Sequence, residues 1–402
     1  MTQLHFTLEQ DFFTGLFTKS REEAFGLLIQ CLLNQFLQAE SEEKLKVSAY
    51  ERNEERTDYR NGYRERQVTT RIGRMTLVVP RHRNEPFHSS MLENYQRNET
   101  ALITTMMEMV VQGVSTRKVE KITEELCGTK FSKSTVSELC KGLDEAVHAF
   151  NTRPLEGVYP FLIIDALYLK VREDYCVRSK GLMIALGINK DGRKEILGFE
   201  VCEGETEHYW GTFLRKLKAR GLRGVDIVTS DDHSGLVAAV RKEMVGVGWQ
   251  RCQFHFIRNI LDKTPKRHQT SLCLELREMF NASTLEGARE AKKDIMKEYG
   301  ELAEAAMETL DEGFEDATNI MCLPERYRVT LRTSNLLERE NGELRRREKV
   351  IRVFPNVESV IRLMGAVLMD HHNDWSTLSR VFSMGEYFEE RDEFLPELRK
   401  AA

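Results

Sequence analysis

From Tyr159 to Val171 the chain runs through an apolar, β-rich stretch that one carboxylate interrupts: Phe161-Leu162-Ile163-Ile164, then Asp165, then Ala166-Leu167. No other feature restricts the fold as sharply. A run of this composition is a strand that demands burial on both faces. A carboxylate inside it costs several kcal/mol unless it is paired, hydrogen-bonded or bound to a metal. The plainer alternative is an Asp at a strand's wet end that bonds backbone amides.

That strand opens a series. Val177–Asn189 is a second apolar run, Asn189-Lys190-Asp191-Gly192 is a turn, and Glu195–Cys202 is a third strand. Thr206–Arg220 has helical spacing and is closed by Gly221. Val225–Ser230 is a fourth strand leading into Asp231-Asp232; Ser234–Met244 is helical, and Gly248–Phe256 fits a fifth strand. The order β-β-β-α-β-α-β is the ribonuclease-H-like pattern, an α/β fold with a mixed sheet flanked by helices. Between about Arg258 and Leu323 strand signals vanish, so a helical insertion is expected there. Ser283-Thr284-Leu285-Glu286 is a capping box opening a helix toward Tyr299, and Glu301–Phe314 is another helix. Ser334–Arg347 and Val357–Val381 are helical as well.

Upstream of Pro154 the pattern is mainly helical. Phe6 to Gln38 carries Phe13, Phe17, Leu27, Leu28 and Leu32 at helical intervals. Residues 51 to 84 break it with nine arginines against five carboxylates, among them Arg60, Arg64, Arg66, Arg71 and Arg74. Ala101–Val111 is a helix ending near Gly113; Ser115 caps a second, which reaches Cys127 and stops at Gly128. Ser132 or Ser134 starts a third through Val136, Leu139, Leu143 and Val147. Such a pair of helices with a Gly-containing turn suits a helix-turn-helix unit and an ordinary helical hairpin equally well.

Charge and composition remove several classes. The net charge of −5 excludes a uniformly basic nucleic-acid binder, so any phosphate-binding surface must be a local patch. No apolar run approaches the ~18 residues of a membrane span, and the amino terminus lacks a signal-peptide pattern. Eight scattered cysteines without a C-x-x-C pair indicate reduced thiols in a cytoplasmic protein.

Two further acidic positions complete a pattern. Asp231 ends its strand; adjacent residues on an extended chain point to opposite faces, so Asp232 is better placed to cap the following helix. In Ser334–Lys349, Asn335, Glu338 and Asn341 line one helical face and Arg345-Arg346-Arg347 load the end with positive charge. Alone, that helix is an ordinary solvated one. Together, Asp165, Asp231 and Glu338 can converge to hold two hard divalent ions, which take oxygen ligands and drive phosphodiester displacement. Cys252-Gln253-Phe254-His255 is half a zinc site without a second pair, so a tetrahedral zinc site is not expected. His371-His372 belongs to an amphipathic helix surface, and Trp210 and Trp249 to the core.

The combined segments resemble the Mutator-type DDE transposases of bacterial insertion sequences. The resemblance rests on Tyr159–Leu169, on Ser230-Asp231-Asp232-His233-Ser234-Gly235-Leu236, and on Thr333-Ser334-Asn335-Leu336-Leu337-Glu338 running to Arg347 and Phe354-Pro355. Trp249–Asn259 with its C-x-x-H element, Tyr59–Tyr63 and Gly113–Arg117 also match, so nearly the whole chain is covered. Ser334 departs from the threonine the family often has.

The resemblance implies Asp165, Asp231 and Glu338 as catalytic and metal-binding carboxylates served by two Mg²⁺ or Mn²⁺ ions. It makes Cys252 and His255 a structural or DNA-handling element, not a zinc ligand set. It implies binding to terminal inverted repeats and target DNA, strand cleavage and 3′-end strand transfer, a homodimer or larger assembly, no membrane, and a nucleoid-associated location in a bacterial cytoplasm. Arg60, Arg64, Arg66, Arg71, Arg74, Arg117, Lys118, Arg345, Arg346 and Arg347 are the candidate DNA contacts. Five regions are expected: an Arg-rich helical DNA-binding or dimerisation region (1–100), a helix-turn-helix-like region (101–154), a first core part (155–257), the helical insertion (258–325), and a core completion with C-terminal helices (326–402). A regulator without catalysis and a nuclease without joining activity are the alternatives.

Overall fold

The computed structural model describes residues 12, 19, 21–47, 56–70, 72–89, 99–127, 130–377 and 380–400. The chain divides into two units, Met1–Lys141 and Gly142–Ala402. That division falls inside the 101–154 segment. Phe13, Phe17, Arg52, Arg71 and Gly128 lie outside the described residues.

In the first unit, α1 (Arg21–Leu45) covers a hairpin of β1 (Arg60–Thr70) and β2 (Gly73–His82). The hairpin occupies the stretch where the arginines break the helical pattern of a mainly helical region. Met75, Leu77 and Val79 alternate into a core with Leu37, Val68 and Phe87, the period of a half-buried strand. The arginines on β1 hide that alternation in the sequence. Three helices follow: α2 (Thr100–Val111), α3 (Thr116–Cys127) and α4 (Lys133–Leu139). Ser115 Oγ accepts from the Lys118 amide and Ser132 Oγ from the Thr135 amide, so both serines cap as their positions suggest. The third helix is not continuous: a 3₁₀ turn, Cys140–Leu143, separates α4 from α5 (Asp144–Thr152).

The second unit is built on β3 (Phe161–Glu173), β4 (Cys176–Ile188), β5 (Lys194–Cys202), β6 (Ile227–Ser230) and β7 (Gly248–Arg251), in the order β5-β4-β3-β6-β7. The first three strands are antiparallel; β6 and β7 add in parallel, giving a mixed sheet. The turn between β4 and β5 needs Gly192, whose φ is +78° and whose missing Cβ leaves room for the Phe382 carbonyl.

Helices cover both faces. Leu162, Ile164, Met183, Ala185 and Val228 on one face pack under α6 (Glu207–Ala219) and α7 (Ser234–Glu243), where Trp210, Phe213, Leu214 and Leu236 are buried. On the other face Phe161 meets Tyr327, Phe382 and Tyr387, with ring centroids 6.3, 5.7 and 4.8 Å away. The expected fifth strand ends at Arg251. Phe256 and Ile260 are both buried at helical spacing, and the chain turns into α8 (Gln253–Asp262).

The segment between β7 and the last helices is a helical block: α8, α9 (Lys266–Phe280), α10 (Leu285–Tyr299) and α11 (Glu304–Thr318), around a core that includes Leu272, Leu276, Ile295, Leu310 and Phe314. Thr284, not Ser283, caps α10, its Oγ1 accepting from the Gly287 amide at 3.1 Å. After α12 (Glu325–Leu331) come α13 (Asn335–Ile351), α14 (Val357–Thr377), which ends short of Val381, and α15 (Gly385–Lys400). Among the described residues no helix is long and apolar enough to cross a membrane.

The last helix is locked to the sheet by a buried charge. Asp226, 2% exposed, accepts from Arg391 Nε and Nη2 at 2.8 and 2.6 Å and from the Tyr387 hydroxyl at 2.9 Å. Truncating one partner of such a pair strands the other's charge. Asp226→Ala should therefore lower the unfolding free energy by about 3–5 kcal/mol in urea denaturation, and a loss under 1 kcal/mol would show that the pair holds nothing.

Candidate active site

Three carboxylates distant in sequence line one cavity of about 350 Å³: Asp165, Asp231 and Glu338, joined by Glu205. Each is delivered by a different device. Asp165 sits two residues beyond Ile163 on β3, and Asp231 two residues beyond Thr229 on β6; those two residues are partners in the parallel ladder. The register therefore sets the two acids side by side where β6 ends. Glu338 lies in the first turn of α13. Glu205 comes from the loop before α6, brought close because Gly235 has no side chain: a Cβ there would lie 2.4 Å from the Glu205 carbonyl oxygen.

Asp165 is held at both oxygens. Oδ1 accepts from the Ala166 amide and Oδ2 from Asn341 Nδ2, each at 2.8 Å. Burial pushes its pKa up to about 6; the Ala166 amide and His255 oppose that rise, and Asp231 and Glu205 add to it. Asn341 Oδ1 is buried with no hydrogen-bond partner among the described residues.

Glu338 is anchored through the start of its helix. Its Oε1 accepts from Ser334 Oγ at 3.1 Å, and Ser334 Oγ lies 3.3 Å from the fully buried sulfur of Cys252. The turn before α13 is stitched to the sheet by Thr229 Oγ1, which donates to the Leu331 carbonyl at 2.8 Å, and by the Gln253 amide, which donates to the Arg332 carbonyl at 2.9 Å.

The C-x-x-H element opens α8, where Cys252 points inward and His255 into the cavity. His255 Nδ1 is 3.9 Å from Asp231 Oδ1, and its Nε2 is 3.9 Å from Glu338 Oε1. The neighbouring Cys252 sulfur, then Asp231 and Asp165, raise the imidazole pKa to about 9 against the effect of burial. Burial drives the Cys252 thiol up, but His255 and Ser334 outweigh it and leave it lowered. Donor atoms of Cys252, His255 and Glu338 lie within 4.8 Å of one another.

Asp232 is elsewhere. It does not cap α7; its Oδ2 pairs with Arg251 at 2.9 Å, and it lines a separate pocket with Lys263 and Glu312. The cations named from the sequence also separate. Arg345 lines the acidic cavity, Arg346 pairs with Glu343 at 3.0 Å, and Arg347 is 2% exposed and donates to Glu343. In the first unit Arg60 pairs with Glu42 at 3.1 Å. Arg64 and Arg66 stand opposite Val79 and Leu77 on one face of the hairpin, whereas Arg74, opposite Thr69, is on the other. Arg117 and Lys118 are exposed on α3.

Chemically, four carboxylates share a small space with Arg345 and His255 as the nearby positive groups. Such crowding calls for added positive charge, and oxygen donors of this kind suit hard divalent cations. Glu205 had no sequence signal, because it lies in a loop without periodicity. Asn341 was placed on the correct helical face by spacing alone.

Residues 2–377 match the family model described as Transposase, Mutator family. The chain is 45% identical over 386 residues to the transposase for insertion sequence element IS256 in transposon Tn4001 of Staphylococcus aureus, covering 95% of this chain and 99% of that relative. It is 42% identical to the transposase for element ISRM5 of Rhizobium meliloti, covering 92% and 94% of the two chains. The transposase for element IS1081 of Mycobacterium tuberculosis is 36% identical, with 93% and 91% covered.

The raised Asp165 carboxyl has a measurable consequence. Its pKa rises on folding from 3.8 to about 6, so the folded state binds this proton more tightly than the unfolded chain does. Its ionisation thus removes stability as the pH climbs through that interval. Unfolding free energies measured across that interval without divalent ions should show this loss in the wild type and a smaller one in Asp165→Asn. Parallel pH profiles for the two proteins would exclude the shift.

Proposed function

The chain belongs to the Mutator family of transposases, and from that premise we propose that it mobilises an insertion sequence by metal-assisted DNA strand cleavage and 3′-end strand transfer. One observation carries the reading: Asp165, Asp231 and Glu338, from separate parts of the chain, line a single cavity. In this reading they are the DDE carboxylates, and the β-β-β-α-β-α-β order around them belongs to a ribonuclease-H-like core.

Asp165, Asp231 and Glu338 would hold two Mg²⁺ or Mn²⁺ ions. Such ions activate a water or 3′-hydroxyl and stabilise the leaving oxygen in phosphodiester displacement. Around them the protein's own groups fix geometry. Asn341 orients the Asp165 carboxylate, and Ser334, backed by Cys252, orients Glu338. His255, between Asp231 and Glu338, balances their charge when protonated, which gives the C-x-x-H element a part beside the chemistry instead of a zinc site.

DNA with the element's terminal inverted repeats, and then target DNA, is the substrate. Of the candidate contacts, Arg64, Arg66, Arg74, Arg117, Lys118, Arg345 and Arg346 would meet phosphate, with Arg71 outside the described residues. The ion pair of Arg60 and the burial of Arg347 fit support of neighbouring structure better. Joining two ends at once favours a homodimer or larger assembly.

With Mg²⁺ and oligonucleotides bearing the element's ends, Asp165→Asn, Asp231→Asn and Glu338→Gln should each lower cleavage and joining by about 10²–10³-fold or more. DNA binding should persist in all three. Asp232→Asn, paired to Arg251 outside the cavity, should stay within a few-fold of wild type. Full strand transfer by the Asp165 or Glu338 variant would refute the proposal; cleavage without joining when target DNA is supplied would reduce it to a nuclease.

A further inference from the structure

Beyond Asp165, where the pairing with β6 has ended, β3 and β4 continue as an antiparallel pair. Alternation along β3 gives this ribbon two different faces. Leu167, Leu169 and Val171 are buried on the Asp165 side, whereas Tyr168, Lys170 and Arg172 are exposed on the opposite one. Pairing sets Gly181, Ser179 and Val177 across from these three, so none of their cross-strand partners is a carboxylate. The carboxylates of the ribbon are drawn to the other face, where Glu173 and Glu203 clasp the buried Lys180. Neither Lys170 nor Arg172 enters an ion pair among the described residues.

Ala166, on the same face of β3 as the strip, lines the candidate active site. The strip's backbone is pinned by the segment after α13: the Arg172 amide donates to the Phe354 carbonyl and the Phe354 amide to the Lys170 carbonyl, both at 2.8 Å. Tyr168, 45% exposed, has its ring edge above the bare backbone of Gly181 and has Glu205, which lines the cavity, as its nearest acidic neighbour in charge. At ~3.3 Å per residue, Lys170 and Arg172 lie about 17 and 23 Å along the strand from Asp165. Their mutual spacing of about 7 Å is close to the axial rise of two nucleotides.

We propose that the face of Tyr168, Lys170 and Arg172 carries the duplex arm that leaves the acidic cavity, Lys170 and Arg172 meeting its phosphates and Tyr168 the sugar or base at the exit. The occupant is DNA because two unpaired cations stand in line on a chain of net charge −5, continuous with a cavity assigned to phosphodiester chemistry. The inference rests on the proposed function for the identity of that occupant. It adds three contacts outside the arginine-rich segments.

Binding of the full-length wild type and of Lys170→Ala/Arg172→Ala to a random-sequence duplex of about 40 base pairs, measured as a function of salt without divalent metal, tests it. Loss of two phosphate contacts should make the log–log salt dependence shallower by about 1.8. Lys170→Arg/Arg172→Lys should restore the wild-type slope. Arg178→Ala, on the ribbon's other face, should leave the slope unchanged. An unchanged slope in the double alanine variant, or an equal change in Arg178→Ala, would overturn the proposal. Because this measurement needs no cleavage, a wild type that never cuts DNA would refute the catalytic reading and leave this result to stand separately.

Discussion

Repulsion among carboxylates in one small cavity is the constraint around which the second unit is arranged. Asp165, Glu205, Asp231 and Glu338 are held in that one space, and burial, to which Asp231 and Glu205 add, makes Asp165 hold its proton more tightly. Each is kept in place by something that cannot easily relax. The parallel register of β3 and β6 holds two of them, the close approach allowed by Gly235 positions a third, and the Ser334–Cys252 contact fixes the fourth. In the proposed function, an added cation would relieve the crowding of like charges held together in this way.

The sheet and its first two acids could be read from the sequence because both signals are local. An apolar β-rich run with one carboxylate, and a short strand ending in Asp231-Asp232, need no knowledge of the rest of the chain. The third acid was legible through helical spacing, which also put Asn341 on the same face. The failures have physical reasons as well. The β1–β2 hairpin was obscured because arginines occupy one strand and its apolar alternation lies on the other. The run Gly248–Phe256 has the composition of one strand, yet Phe256 and Ile260 follow a helical period. Asp232 could have served as a cap by position, but Arg251, whose pairing depends on a neighbouring strand, draws it away. Glu205 is set by the packing of two backbones that no sequence period records.

Several buried polar contacts explain why remote segments return to the correct place. Gln250 and Gln253 both donate from Nε2 to the Ala317 carbonyl at 2.8 Å, and the Ile320 amide donates to Gln250 Oε1 at 2.7 Å. These bonds tie the end of the helical block to the strand from which it departs. Thr229 and the Gln253 backbone then fix the turn that starts the Glu338 helix. In a buried setting each such bond is costly to leave unmade, so the chain is directed back to one position and not to a range of them.

The helical block between Asp231 and Glu338 encloses an apolar interior of its own and is fastened to the sheet at its two ends. Closing a longer loop adds little entropy once its stem is fixed, growing only with the logarithm of length. Evolution is therefore free to enlarge, trim or redecorate the outer helices without retuning the acids. Variation in architecture should collect there while the stem glutamines stay put.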